Sequence, residues 1–206
     1  MGSSARCCQP LLVGLTGPIG AGKSVVGRVF LVMGIPVYVA DDRAKELMLS
    51  NGRLRGFLTS VLGEEVYCEG ALNRRLLADV LFSNAELRRY IERQIHQAVF
   101  EDFRKWMMQQ TASPYVVMEA ALIFESGADE RIPLDFVIFV DAPDEIRWAR
   151  LRSSRGYCEE EIRRREAAQW LPDVKKKRAD FIISNDGKSS IIARIWEIHQ
   201  ILMQKR

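Results

Sequence analysis

Residues 17–24 read Gly-Pro-Ile-Gly-Ala-Gly-Lys-Ser, the spacing G-x-x-x-x-G-K-[ST]. No other stretch of the 206-residue chain limits its fold as tightly. A phosphate chain must meet several backbone N–H groups at once, so such a loop needs glycines to bend and to bring the backbone close. Behind it must stand a helix N-terminus, which adds unpaired N–H groups and the positive end of a dipole. The flanks agree. Leu11-Leu12-Val13-Gly14-Leu15 is a short apolar run suited to a buried strand. Val26, Val29, Phe30 and Met33 then share a helical face, and Gly34 closes the helix. In that context Lys23 reaches the β- and γ-phosphates of a nucleoside triphosphate and the Ser24 hydroxyl ligates Mg²⁺.

The rest of the chain extends this opening. Ile35–Val39 reads as a second strand, with Pro36 near its start, and Asp41–Leu49 as a helix. Tyr115–Met118, Phe136–Val140 and Phe181–Ile183 are three more strands, and Ile191–Met203 is a C-terminal helix. Five strands separated by helices predict an α/β fold of three layers, α/β/α, around a parallel five-stranded sheet. Between about residues 50 and 111 no good strand is offered, so that stretch reads as a helical insertion. Asn73 caps a helix through Leu81, and Ser83 or Asn84 caps a long one toward Gln109. Leu87, Ile91, Ile95, Val99, Phe103 and Trp106 keep the spacing of one buried face on it. His96 beside that face reads as structural, and Trp106, Trp148, Trp170 and Trp196 as packing residues.

Composition removes several classes of function. The four cysteines, Cys7, Cys8, Cys68 and Cys158, have no paired spacing, and His96 and His199 are the only histidines. That is neither a zinc framework nor a disulfide scaffold, and it fits reduced thiols in the cytoplasm. No apolar run approaches the roughly 18–20 residues that span a bilayer, and no signal peptide is evident. A net charge of +3 makes no case for nucleic acid or membrane as partner. It does conceal a polarity: Ile146–Arg178 holds 11 Lys/Arg against 5 Asp/Glu. By composition alone that segment is a solvated face.

Carboxylates at strand ends are the remaining candidates, because ligands of an open α/β sheet sit beyond the C-terminal ends of its strands. Asp41 and Asp42 follow the second strand, and one of them can orient an acceptor hydroxyl and take its proton. The bland reading is that both serve the next helix; Asp42 fits that role better. Glu119 is either a metal-shell acid or a solvated strand-end carboxylate, and Asp141 reads as the start of the turn into the Pro143 helix.

With these residues in view, nearly the whole chain resembles the dephospho-coenzyme A kinases, a P-loop nucleotide-kinase family. The resemblance is carried in order by Gly14-Leu15-Thr16-Gly17, by Gly34-Ile35-Pro36-Val37-Tyr38-Val39-Ala40-Asp41, and by Gly70–Leu77 with Phe82-Ser83-Asn84. It continues through Leu122–Gly127, Arg165-Glu166-Ala167-Ala168-Gln169 and Ala179–Asn185 with Gly187. It implies ATP-dependent phosphorylation of the ribose 3′-hydroxyl of dephospho-CoA, the last step of coenzyme A synthesis. Another small-molecule or nucleoside monophosphate kinase of the same fold is the alternative. A non-catalytic nucleotide switch would have no use for arginines closing over a transferring phosphoryl.

The resemblance also implies roles for particular residues. Gly17, Ile19, Gly20, Ala21, Gly22, Lys23, Ser24 and Val25 bind ATP, with Ser24 on Mg²⁺. Asp41 is the base on the 3′-hydroxyl, Thr16 is on the substrate side, and Arg150 faces the transferring phosphoryl. Arg155, Arg165 and Gln169 belong to a lid over about 150–172 that engages the substrate, and Asn185 to Gly187 hold the adenine. In this scheme 11–49 and 112–206 form the nucleotide-binding core, about 50–111 a CoA-side subdomain, and the basic segment the lid. Dephospho-CoA is the partner, with the protein a monomer or weak homo-oligomer. The departures from the family pattern are Val39 for an acid, Pro18 for a glycine, Gln97 after His96 and Ala121 where prolines are usual, and one extra residue between Arg150 and Arg155.

Overall fold

The computed structural model describes residues 9–205, apart from the side chains of Leu81 and Phe82. Cys7, Cys8, residues 1–6 and Arg206 lie outside the described residues. Strand β1 (Leu11–Thr16) leads through the glycine loop into α1 (Lys23–Val32), and β2 (Val37–Val39) into α2 (Ala40–Ser50). Then come α3 (Gly52–Leu62), a 3-10 turn at Glu64–Val66, β3 (Tyr67–Cys68), β4 (Ala71–Leu72), α4 (Arg74–Ser83) and α5 (Ala85–Met107). The remainder runs β5 (Tyr115–Glu119), α6 (Ala128–Arg131), β6 (Phe136–Asp141), α7 (Asp144–Arg155), α8 (Glu159–Ala167), α9 (Pro172–Lys177), β7 (Phe181–Ser184) and α10 (Ile191–Gln204).

Five strands form one parallel sheet in the order β2-β5-β1-β6-β7. Strand β1 is central, with Leu11 opposite Tyr115 on one side and Val13 opposite Phe136 on the other. Burial on both faces is why it reads as a continuous apolar run rather than an alternation. The chain leaves β1 toward β2 on one side and later fills β6 and β7 on the other. That reversal opens the crevice where ligands of such sheets bind, at the C-terminal end of β1. On one face of the sheet, Val26 and Phe30 of α1 and Ile195, Ile198 and Leu202 of α10 share a core with Val13, Leu15, Val117, Ile138 and Val140. Phe30 meets Tyr115 edge-on at 6.1 Å, and the Tyr115 hydroxyl bonds to His199 Nδ1 at 2.7 Å. Burial pushes the Tyr115 phenol well above its ordinary pKa and the His199 imidazole below its own. Trp196 is 56% exposed on α10 and packs its ring against His199 at 5.6 Å rather than entering the core.

The described chain divides into two compact units. One holds the sheet, comprising the chain up to Val39 and from Trp106 onward; the other is Ala40–Lys105. The second unit takes in α2 because Arg43 forks onto Asp102 of α5, with Nε and NH2 at 3.0 and 2.8 Å from the two carboxylate oxygens. Asn73 caps α4 by accepting from Leu76 N–H, and Asn84 caps α5 by accepting from Glu86 and Leu87 N–H. One expectation for this stretch was wrong. It contains an antiparallel hairpin, β3–β4, turned by Glu69 at φ +50° and Gly70 at φ +80°. Both central residues take the left-handed region, as a type I′ turn requires. Two-residue strands leave no alternation to detect, and Glu-Gly is a weaker turn signal than Asn-Gly. Among the described residues, no helix is long and apolar enough to cross a membrane.

Candidate active site

The glycine loop joins the end of β1 to the start of α1 and is shaped by three left-handed or extended glycines. Gly20 has φ +79° within a turn in which Ala21 N–H donates to Pro18 C=O at 3.2 Å. Gly22, at φ +96°, is the N-cap of α1, where a Cβ would collide with the Asn185 side-chain amide. Gly17, at φ +151°, lies so close to β6 that a Cβ would collide with the Val140 carbonyl. That carbonyl belongs to the sheet and cannot yield. Gly17→Ala is therefore expected to destabilise the fold by about 3 kcal/mol, read as a lowered denaturant midpoint.

No acidic residue occupies the first turn of α1, so nothing there cancels the positive end of its dipole. Lys23 Nζ donates to the carbonyls of Gly17 (2.9 Å) and Pro18 (3.1 Å), spanning the base of the loop. Ser24 follows at the exposed start of the helix. Glu119 ends β5 buried, and its Oε2 sits where a Cβ on Gly27 would be only 2.8 Å away. Gly27 is one turn beyond Ser24 on α1, so that carboxylate borders the face carrying Ser24. Val25 is half exposed beside it.

Helix α7 and the end of β7 grip the loop from outside. Arg150 donates through NH1 to Ala21 C=O (3.4 Å) and through NH2 to the backbone and side-chain oxygens of Asn185 (both 3.2 Å). Asn185 Nδ2 donates to the same Ala21 carbonyl at 2.7 Å. Beyond Asn185, the Asp186 carboxylate accepts the Ser189 and Lys188 N–H groups, which hold it below the usual carboxylate range and close a tight turn at Gly187 (φ +77°). A cavity of about 500 Å³ opens beside the loop, lined by Pro18, Asp141, Arg147, Lys176, Ser184 and Asp186 among others. That volume lies within the range of small-molecule sites.

A second cluster centres on the Ala121 carbonyl, just past β5. It accepts from Thr16 Oγ1 (3.4 Å), Gln169 Nε2 (3.0 Å) and Lys175 Nζ (2.8 Å). Thr16 is fully buried. Gln169 also accepts the Ile19 N–H at 2.9 Å, so it bridges the glycine loop and the Ala121 hub. Lys175 pairs with Glu125 at 2.8 Å, and the same carboxylate oxygen accepts Trp170 N–H. At the end of the basic segment, Lys175–Arg178, the solvated face that composition suggests holds only in part: Lys177 is exposed, but its neighbours are engaged. Lys175 is 1% exposed rather than solvated, Lys176 pairs with Asp141, and Arg178 pairs with Asp129 and lies over the rings of Phe124 and Trp170. Carboxylates 35–50 residues away in the sequence take up these cations, so a local charge count could not reveal it.

Burial lowers the Lys175 pKa below the ordinary lysine value, and Glu125 opposes that shift. Lys175→Met would leave Glu125, whose Oε2 is already buried without a partner among the described residues, as an uncompensated charge. A loss of about 3–5 kcal/mol is expected by urea denaturation, and replacing Glu125 by Leu as well should recover most of it.

The remaining candidates sit on helices α7, α8 and α2. Arg155 is exposed at the end of α7. Arg165 pairs with Glu161 on α8 and covers the Tyr157 ring at 4.7 Å. In the helical unit, Asp41 is exposed in the first turn of α2, which begins one residue beyond β2, and Asp42 stands in the same turn, as a residue serving that helix would, and pairs with Lys45 at 2.6 Å. Sequence reasoning missed Arg147, Glu125 and Lys175. Arg147 carried a usable signal, since it stands three residues before Arg150 and therefore on the same helix face.

Comparison with known proteins adds an independent line. The family model described as dephospho-CoA kinase matches residues 11–190. A dephospho-CoA kinase of Bacteroides fragilis is 38% identical over 195 residues, covering 94% of this chain and 93% of that protein. Among solved structures, a Thermus thermophilus protein superposes with a TM-score of 0.82 at 30% identity, covering 94% of this chain and 97% of the other. Dephospho-CoA kinase from Campylobacter jejuni superposes with a TM-score of 0.61 at 20% identity over the same shares, a likeness of fold.

Proposed function

The chain belongs to the dephospho-CoA kinase family, and from that premise we propose how it works. The protein is a kinase that phosphorylates dephospho-CoA at the expense of ATP, forming coenzyme A. The acceptor atom is the ribose 3′-hydroxyl. What supports the reading most is that the family match spans the glycine loop, Asp41 and the basic segment in one run.

The glycine loop, with Ile19, Ala21 and Val25 beside Gly17, Gly20 and Gly22, binds the triphosphate through backbone N–H groups. Lys23 leaves the loop carbonyls for the β- and γ-phosphate oxygens, where its charge is worth more as negative charge develops. Arg150 stabilises the transferring phosphoryl, and Asn185 and Gly187 frame the adenine. Asp41 accepts the proton of the 3′-hydroxyl as that oxygen attacks. Thr16, Arg155, Arg165 and Gln169 serve the acceptor side, with 150–172 as a lid that excludes water and the helical unit as the CoA-side subdomain.

Ser24 is the residue that would hold Mg²⁺. Its exposed hydroxyl is a hard oxygen donor at the helix start, and Mg²⁺ takes few protein ligands where substrate phosphates complete its shell. Held there, the ion would supply positive charge to offset that of the triphosphate. The exposed free thiols of Cys68 and Cys158 fit the reducing cytoplasm, and we take the working form to be a monomer or weak homo-oligomer. A coupled ADP-release assay tests the function. ADP should form from ATP when dephospho-CoA is present and stay at background with AMP, CMP or shikimate. Turnover with one of those acceptors and none with dephospho-CoA would overturn it.

A further inference from the structure

Pro18–Ala21 is a hydrogen-bonded turn, and φ +79° at Gly20 is the conformation of the third residue of a type II turn. Types I and II differ in the orientation of the central peptide, here Ile19–Gly20. In a trans peptide the N–H points opposite to the C=O. Whatever holds the Ile19 carbonyl therefore decides where the Gly20 N–H points. What holds it is Arg147, whose NH1 donates to Ile19 C=O at 2.8 Å.

Arg147 is 3% exposed. Its NH2 is fixed on Asp144 (2.6 Å) and on Glu166 of α8 (2.8 Å), and Glu166 also accepts from Trp148 Nε1. Gly20 is pressed against the same helix, where a Cβ would lie 2.9 Å from the Arg147 carbonyl. On its other flank the Ile19 N–H is taken by Gln169, three residues after Glu166. One helical turn along α7, Arg150 together with Asn185 draws the Ala21 carbonyl outward in the same manner. Alternate carbonyls of the loop are thus pulled toward α7 and its neighbours, and the N–H groups of Gly20 and Gly22 are turned away from them.

We infer that Arg147 is a positioning residue for phosphoryl transfer: it holds the central peptide of the glycine loop in the orientation that aims its amides at the triphosphate, and through Glu166 it ties that orientation to α8. The inference rests on the kinase reading and concerns the nucleotide side of the reaction alone. The test measures ADP binding by calorimetry, and KM for ATP and for dephospho-CoA, in the full chain carrying Arg147→Met or Arg147→Lys. The ADP Kd and the KM for ATP are expected to rise about tenfold in R147M and about threefold in R147K, which keeps the charge but loses the planar fork. The KM for dephospho-CoA should stay within about twofold of wild type. If R147M does not fold, the R147K shift decides alone. An unchanged ADP Kd in the folded variants, or equal losses on both substrates, would overturn the assignment. A wild-type protein that binds ADP but does not phosphorylate dephospho-CoA would remove the kinase reading and leave the ADP comparison standing.

Discussion

Replacing Asp41 by Asn is expected to lower kcat for dephospho-CoA phosphorylation about 10²–10⁴-fold, the usual contribution of a general base. The substitution keeps the size of the side chain and one acceptor oxygen but cannot take the hydroxyl proton. ATP affinity should change little, because the glycine loop proposed to bind the triphosphate is untouched. A competing role for Asp41 predicts something different. As an exposed acid in the first turn of α2 it would support the helix dipole for about 0.3–1 kcal/mol of stability and nothing in kcat. Single-turnover kinetics with ATP saturating separate the two. A variant with wild-type turnover and a slightly lower melting midpoint would leave Asp41 as a helix residue.

Lys23→Met should cost about 10²–10³-fold in kcat and raise the KM for ATP as well. The ammonium is the one side-chain cation of the loop motif, so its removal takes charge stabilisation from the transferring phosphoryl together with ground-state binding. It also removes the bonds to the Gly17 and Pro18 carbonyls, each worth about 1 kcal/mol. A denaturation curve must therefore accompany the kinetics, so that a loosened loop is not counted as lost chemistry. Lys23→Arg should not restore activity, because a planar fork does not fit a position shaped for a compact point charge. Full activity in either variant would sink the role given to Lys23.

The parts of this protein legible in its sequence share one property: short-range physics decides them. The apolar run before Gly17, the 3–4 spacing after Ser24 and the caps at Asn73 and Asn84 are each settled within a dozen residues. They placed β1, α1, α4 and α5 close to where they stand. The glycines of the loop were readable for the same reason, since a phosphate cradle demands positive φ at particular steps and Gly20 and Gly22 adopt it. The hairpin at Tyr67–Leu72 escaped because two-residue strands show no period.

The partners of the buried charges were beyond such reading. Lys175 sits in a run of four cations, which by itself describes a solvated surface. Only the packing of α9 against the segment after β5 brings Glu125 and the Ala121 carbonyl to it. Arg147 looked like one more arginine of a basic stretch until the fold laid Ile19 beside its guanidinium, 128 residues away in sequence.

By itself the sequence determined a phosphate loop between a strand and a helix, a parallel sheet to carry it, and the order of motifs that marks the family, because loop conformation and hydrophobic period are local constraints. Beyond Lys23 and Arg150, which the motif and the family pattern had singled out, the tertiary structure alone brought Arg147 to the loop and Lys175 to the hub beside it. A cation declares its role by the oxygen it reaches, and those oxygens come from strands and helices that only folding brings together.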